Sequence, residues 1–360
     1  MSEKNPNRAV INWLLSGCFL VYLMVVVGCL TRLTHSGLSI TDWNFMGSLP
    51  PLNAQDWAER FAKYQTSPEF VNINYAMGIE EFKSIFWWEY IHRSIGNTMM
   101  GVFLLGFIWF LIKKKFSKKT IPKMIALFLL GALQGLIGWW MVKSGLVKNP
   151  AVSHYRLAIH LMSAFTVFAF TFWYALQLMN EPVIPENKNR AGHKKLRPYV
   201  VSMLLILIAQ IIFGAFVAGL KAGLRFPTWP KMGNDWFPTE AIVQTDSWIT
   251  NFFDLPDGVQ FVHRTFAYLV VACVIVLWIR SSKMQISKSV YRGISFLIYG
   301  TTIQFILGIF TLIYHVPVVF GVLHQTMAFF LFASCVYLLY HVTRKIPVTE
   351  EQAATEIPIN

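Results

Sequence analysis

Charged residues are scarce in this chain: Asp, Glu, Lys and Arg make up 14% of 360 residues, against 55% hydrophobic. A water-exposed globular domain needs more polar surface than that and is excluded. Acidic residues are the scarcer sign, 18 against 31 Lys and Arg, for a net charge of +13. The basic residues fall between apolar blocks. A nucleic-acid binder would gather them on one face or in one domain, so nucleic acid is excluded as a partner. Cysteine is nearly absent. Cys18, Cys29, Cys273 and Cys335 all lie inside apolar blocks, with no CxxC. That excludes a disulfide framework or a zinc site and leaves small buried packing residues. The amino-terminal MSEKNPNRAV lacks a cleavable-signal pattern and is too short for an Arg/Ser-rich transit peptide. The first apolar block is therefore expected to remain as an anchor.

What the chain does have is long apolar runs. Eight are long enough to cross lipid as helices, which takes about 20 residues each. They cover roughly 11–33, 90–112, 122–142, 155–179, 199–220, 260–280, 291–314 and 319–342. The expected fold class is an all-α polytopic membrane protein. Loops 113–123, 180–198 and 281–290 are rich in Lys and Arg, as are the flanks at Lys4, Arg8, Arg344 and Lys345. The positive-inside rule puts these loops and both termini in the cytoplasm. Loops 34–89 and 221–259 then lie outside. Both are rich in Trp, Pro and Gly, and their length suggests folded caps.

The two halves of the chain match. At an offset of 186, Gly28, Gly37, Leu38, Trp43, Met46 and Gly47 meet Gly214, Gly223, Leu224, Trp229, Met232 and Gly233. At 171, His92 and Arg93 meet His263 and Arg264; at 170, Gln134 and Gly138 meet Gln304 and Gly308. At 164, His160, Ala164, Phe165, Phe168 and Ala169 meet His324, Ala328, Phe329, Phe332 and Ala333. Four spans per half is an even number, so the halves share one orientation about an axis along the membrane normal. We expect two tandem four-helix bundles, residues 1–180 and 181–346, with a cytoplasmic tail at 347–360.

His92, His160, His263 and His324 all fall near the outer starts of even-numbered spans. A single membrane histidine is commonly an interhelical hydrogen bond. Four at matched depth, two per bundle, point to paired ligands for haem iron or another metal that favours nitrogen. The outward helix N-termini favour haem propionates there, and Arg93 and Arg264 are candidate propionate contacts or interfacial snorkels. His35, His154, His193, His315 and His341 read as loop or interface residues. The halves differ at Glu89, three residues before His92, whose counterpart is Gln260. Glu89 is either a helix-start acid paired with Arg93 or a catalytic group beside one metal site.

Several runs together resemble the haem A synthase (Cox15/CtaA) family: GCLTRLTHSGLSITDWNFMGSLPP, WWEYIHR, HYRLAIHL, AGLKAGLRFPTWPKMGNDWFP, FVHR and GVLHQ. The resemblance covers about residues 12–342 in order. It implies oxidation of a haem O methyl to a formyl group, by two hydroxylations and loss of water, giving haem A for terminal oxidases. Glu89 matches the family's essential glutamate, His92 and His160 its substrate-haem pair, and His263 and His324 the pair for a haem b cofactor. The outer-loop cysteine pair of many bacterial members is missing, as in the mitochondrial and proteobacterial-type branch. The partners implied are membrane lipid, haem O handed on by a haem O synthase and an electron donor, with a homo-oligomer left open. The expected location is a bacterial inner membrane, haem sites toward the outer face. The competing expectations are a dihaem b-type electron-transfer protein with the same four ligands and, less consistent with paired histidines, a non-haem transporter.

Overall fold

The computed structural model describes residues 7–42, 49–147, 150–179, 188–239 and 248–344. Within the repeat, Trp43, Met46 and Gly47 lie outside the described residues, as do Lys4, Lys345 and the tail at 347–360. No strand occurs among the described residues. The helices are α1 (Arg8–Leu33), α2 (Ala54–Gln65), α3 (Pro68–Asn72), α4 (Ile79–Ile112), α5 (Ile121–Lys143), α6 (His154–Met179), α7 (Lys188–Gly219), α8 (Trp248–Asp254), α9 (Pro256–Ser281), α10 (Lys288–Ile313) and α11 (Val318–Thr343).

Eight of these are long and apolar enough to cross a membrane: α1, α4, α5, α6, α7, α9, α10 and α11. They are the eight spans expected, with two corrections at their ends. α4 begins at Ile79, well before the apolar run, because Glu81 accepts from the Gly78 N–H at 3.0 Å and starts the helix in the outer loop. α7 begins at Lys188, so Arg190, Lys194, Lys195 and Arg197 ride on helix and are not loop. Hydropathy marks where lipid is compatible, not where helical hydrogen bonding stops.

The first outer loop is partly folded, as its composition suggested. Asn53 caps α2 by accepting from the Asp56 N–H at 2.9 Å, and Ser67 caps α3 from the Phe70 N–H at 3.2 Å, ahead of Pro68. Trp57, Phe61, Tyr64 and Phe70 close over Phe82 and Phe86 on the outward extension of α4. This aromatic lid sits directly above the turn that carries Glu89.

Lipid is as apolar as a leucine side chain, so helix association in a membrane rests on packing and hydrogen bonds. α1 packs on α4 and α6, and α5 on α4 and α6. α7 packs on α9 and α11, and α10 on α9 and α11, the same neighbours under the repeat. Between the halves, α6 meets α7 and α11, and α1 meets α11. Phe165 and Phe168 of α6 interlock with Phe329 and Phe332 of α11, with ring centres 4.9 Å apart for Phe165–Phe332 and 4.5 Å for Phe168–Phe329. These are the phenylalanines that the repeat pairs in sequence. At the other inter-half seam the Arg32 Nη1 donates to the Ala218 carbonyl at 2.8 Å. All four cysteines are unpaired, and three are buried, as their apolar settings implied.

Candidate functional site

A cavity of about 1930 Å³ runs between the two halves, and His92, His160, His263 and His324 all line it. The histidines come from α4, α6, α9 and α11. His160, His263 and His324 lie about two turns from the starts of their helices. His92 lies deeper along α4 only because that helix reaches up into the lid.

Each imidazole leans on a glycine of the preceding span. A Cβ on Gly28 (α1) would sit 3.1 Å from His92, on Gly138 (α5) 2.9 Å from His160, on Gly214 (α7) 3.2 Å from His263, and on Gly308 (α10) 2.9 Å from His324. Any larger residue would push the ring off its place. Gly28 matches Gly214 and Gly138 matches Gly308 in the repeat, so the cradle is duplicated with the ligands. The sequence comparison already contained these matches; that they lie under the histidine rings is visible only in the structure.

The rings of His263 and His324 are 6.5 Å apart, centre to centre, at 78°. Two metal–imidazole bonds of about 2 Å each, with the nitrogen-to-centre distances added, come to about 6 Å. The Nδ1 atoms of both rings are buried without a partner. Paired, buried, spare imidazole nitrogens on glycine cradles fit a haem iron held from both sides.

Glu89 is buried, 3% exposed, and held on three sides. It accepts from the Ser39 hydroxyl at 2.7 Å and the Ile40 N–H at 2.9 Å, and pairs with Arg93 Nη2 at 2.5 Å. The pairing with Arg93 that its spacing suggested is therefore present, and Glu89 also lines the cavity. Gln260 instead donates to the Phe226 carbonyl at 3.2 Å.

Arg93 and Arg264 do not snorkel. Arg93 donates to the carbonyls of Ile40 at 2.9 Å and Asp42 at 3.2 Å, and Arg264 to those of Phe226 at 2.8 Å and Lys231 at 3.2 Å. Ile40 and Phe226 are repeat counterparts, so the same bond ties each outer loop to its histidine helix. Both arginines still border the cavity.

His35 and His315 are loop residues, as expected, and the structure adds a role to that. His35 and His315 line the cavity, each just past the end of a helix with φ of 53° and 61°. The left-handed turn that ends the helix directs the chain over the mouth. Burial lowers the pKa of His35, as do Lys221 and Arg32 nearby. His154 stays outside the cavity lining. It packs against Gly219 of α7 and lies 3.6 Å from Asp254, an interface role as expected. His193 accepts from the Ser287 N–H at 3.2 Å, and His341 packs on Tyr337, both away from the cavity.

The halves also differ in room. A Cβ on Gly135 would meet nothing within 4 Å. Its counterpart, Phe305, fills that place against Tyr268, with ring centres 5.7 Å apart, and Trp229, at 6.3 Å. The N-terminal chamber is thus the more open.

Comparison with known proteins covers nearly the whole chain. A family model described as COX15-CtaA, cytochrome oxidase assembly protein, matches residues 11–336. A Flavobacterium johnsoniae protein named heme A synthase is 45% identical over 345 residues, 95% of this chain and all of that one. Proteins of the same name from Flavobacterium psychrophilum and Nitrosospira multiformis are 46% and 41% identical. They cover 94% and 92% of this chain, and 99% and 93% of their own.

Proposed function

Since this chain belongs to the COX15-CtaA family of cytochrome oxidase assembly proteins, we propose that it acts in haem A biosynthesis, oxidising a methyl group of haem O to a formyl group. His92 and His160 would hold the substrate haem, and His263 and His324 a resident haem b. The observation that carries the division of labour is Glu89, a buried carboxylate on the cavity wall of one half only, against the neutral Gln260 of the other. The open space at Gly135, filled by Phe305 in the second half, supports the same assignment.

The bound iron supplies the C–H oxidation that no side chain can perform. The protein's part is position and charge. Glu89 is fixed by Ser39, the Ile40 N–H and Arg93, so its carboxylate meets the substrate edge already oriented. There it offsets developing positive charge or takes up a proton as the methyl group is oxidised. The lid of α2 and α3 over Phe82 and Phe86 keeps bulk water from that end of the chamber. Arg93 and Arg264, on the cavity wall, are where propionates would find positive charge, reinforced by the N-termini of the histidine helices. The two tandem bundles share one orientation, an arrangement supported by their equal neighbour sets. By the positive-inside rule both termini face the cytoplasm of a bacterial inner membrane, and both haem sites its outer face. Haem O synthase is the expected source of substrate.

Haem extraction from membranes carrying the wild type and Glu89→Ala tests this. The wild type should yield haem b with haem O or A. Glu89→Ala should retain haem b and yield no haem A. A wild type yielding only haem b would make the chain an electron-transfer protein, and normal haem A from Glu89→Ala would remove Glu89 from the chemistry.

A further inference from the structure

The residue four places before each cradle glycine is a glutamine at three of the four sites: Gln134, Gln210 and Gln304. At the fourth it is Met24, the counterpart of Gln210. In the C-terminal half the amide nitrogens of Gln210 and Gln304 lie 3.5 Å and 3.4 Å from a ring nitrogen of His263 and His324. The Oε1 atoms of both glutamines are buried without a partner, as are the second nitrogens of both rings. Turning each amide over puts its oxygen on the ring, where it accepts the imidazole N–H. That satisfies the orphaned oxygen and leaves the other nitrogen for iron.

The N-terminal half cannot do this. Gln134 Oε1 accepts the Ser163 hydroxyl, while its Nε2 donates to the His160 carbonyl at 2.9 Å and faces His160 Nδ1 at 3.2 Å. Turning that amide would set its oxygen against the carbonyl. Ser163 has no hydroxyl counterpart, since the repeat places Met327 there. On α1 the position of Gln210 is held by a thioether, Met24, whose Cε reaches α4 at Gly96.

An acceptor on the second imidazole nitrogen fixes the tautomer and raises ligand basicity, and losing one costs about 10–100-fold in metal affinity. We propose that Gln210 and Gln304 are positioning residues that make the haem of the second half permanent, and that Met24 and Ser163 withhold this support from His92 and His160, so that haem there exchanges as substrate and product. The proposal rests on the haem assignment above.

The test uses the purified holoprotein, with apomyoglobin as haem acceptor and a redox titration of the haem b band. Gln304→Met should release haem b at least tenfold faster and raise its midpoint potential, because a less basic ligand stabilises ferric iron less. Gln304→Glu, a stronger acceptor, should lower the potential. A residue that only fills space would not move the potential in opposite directions, so unmoved potentials overturn the proposal. The reverse change, Met24→Gln, supplies an amide at the position of Gln210 and should slow haem exit from the first half at least tenfold, and an unchanged exit rate overturns the proposal independently of any folding defect at Gln304. A wild-type protein without haem would sink the assignment beneath the proposal instead.

Discussion

Replacing Gly308 by alanine adds one methyl group at the most crowded point of the second site. That Cβ would lie 2.9 Å from His324 Cε1 and 3.5 Å from Nδ1. Ordinary carbon contacts begin near 3.5 Å, so the imidazole must retreat by about half an ångström or α10 must shift. Overpacking of this kind costs about 1–3 kcal/mol. If the strain is relieved whenever the ring is free to move, that cost falls on the ligated state, and each 1.4 kcal/mol is tenfold in affinity. Gly308→Ala should therefore weaken haem b retention by about 5- to 150-fold. The assay is haem per polypeptide after purification, with the rate of transfer to apomyoglobin. Thermal unfolding by tryptophan fluorescence checks that the helices still assemble. Gly101→Ala on α4 is the control, because its added Cβ meets nothing within 4 Å. It should keep the haem content and release rate of the wild type. Full retention by a folded Gly308→Ala would refute the cradle as the support of the ligand ring.

Other expectations follow from the same geometry. Gly135→Phe should fill the open side of the first chamber as Phe305 fills the second, abolishing haem A formation while leaving haem b bound; normal haem A yield would show that the space is not used. Burial pushes the Glu69 carboxyl up to about 7, against the lowering effect of the Tyr64 hydroxyl. The folded chain then holds a proton that the unfolded chain gives up near 4.5, so Glu69 costs stability progressively as pH rises from about 4.5 to 7, and in full above that. Glu69→Gln should raise the unfolding temperature at pH 8 and leave it unchanged at pH 4, and equal shifts at both would exclude titration as the cause. Asn53→Ala should destabilise the lid by about 1 kcal/mol through loss of the α2 cap, seen as faster amide exchange in α2.

Much of the site was legible one residue at a time. The ligand candidates, the repeat and the contrast of Glu89 with Gln260 need only residue type and spacing, because a polar group in an apolar run is conspicuous wherever the helix goes. The glutamines were half legible: Gln134 and Gln304 stand out as a repeat match, but Gln210 and Met24 gain meaning only beside their histidines. His35 and His315 were legible as loop residues, but not as part of the cavity wall, because a loop's path depends on the turn after each helix. The helix starts at Ile79 and Lys188 were missed because polar helical turns continue an apolar span without a hydropathy signal.

The sequence by itself determined the eight spans, the duplication and which residue types could hold a metal, since lipid demands long apolar helices with every backbone group paired within them. Only the tertiary structure decided what touches what. It put a glycine under each imidazole, turned Arg93 and Arg264 to loop carbonyls and let Ser163 fix the amide of Gln134. Those relations join different helices at distances set by side-chain packing and hydrogen-bond direction, and no spacing along one chain encodes them.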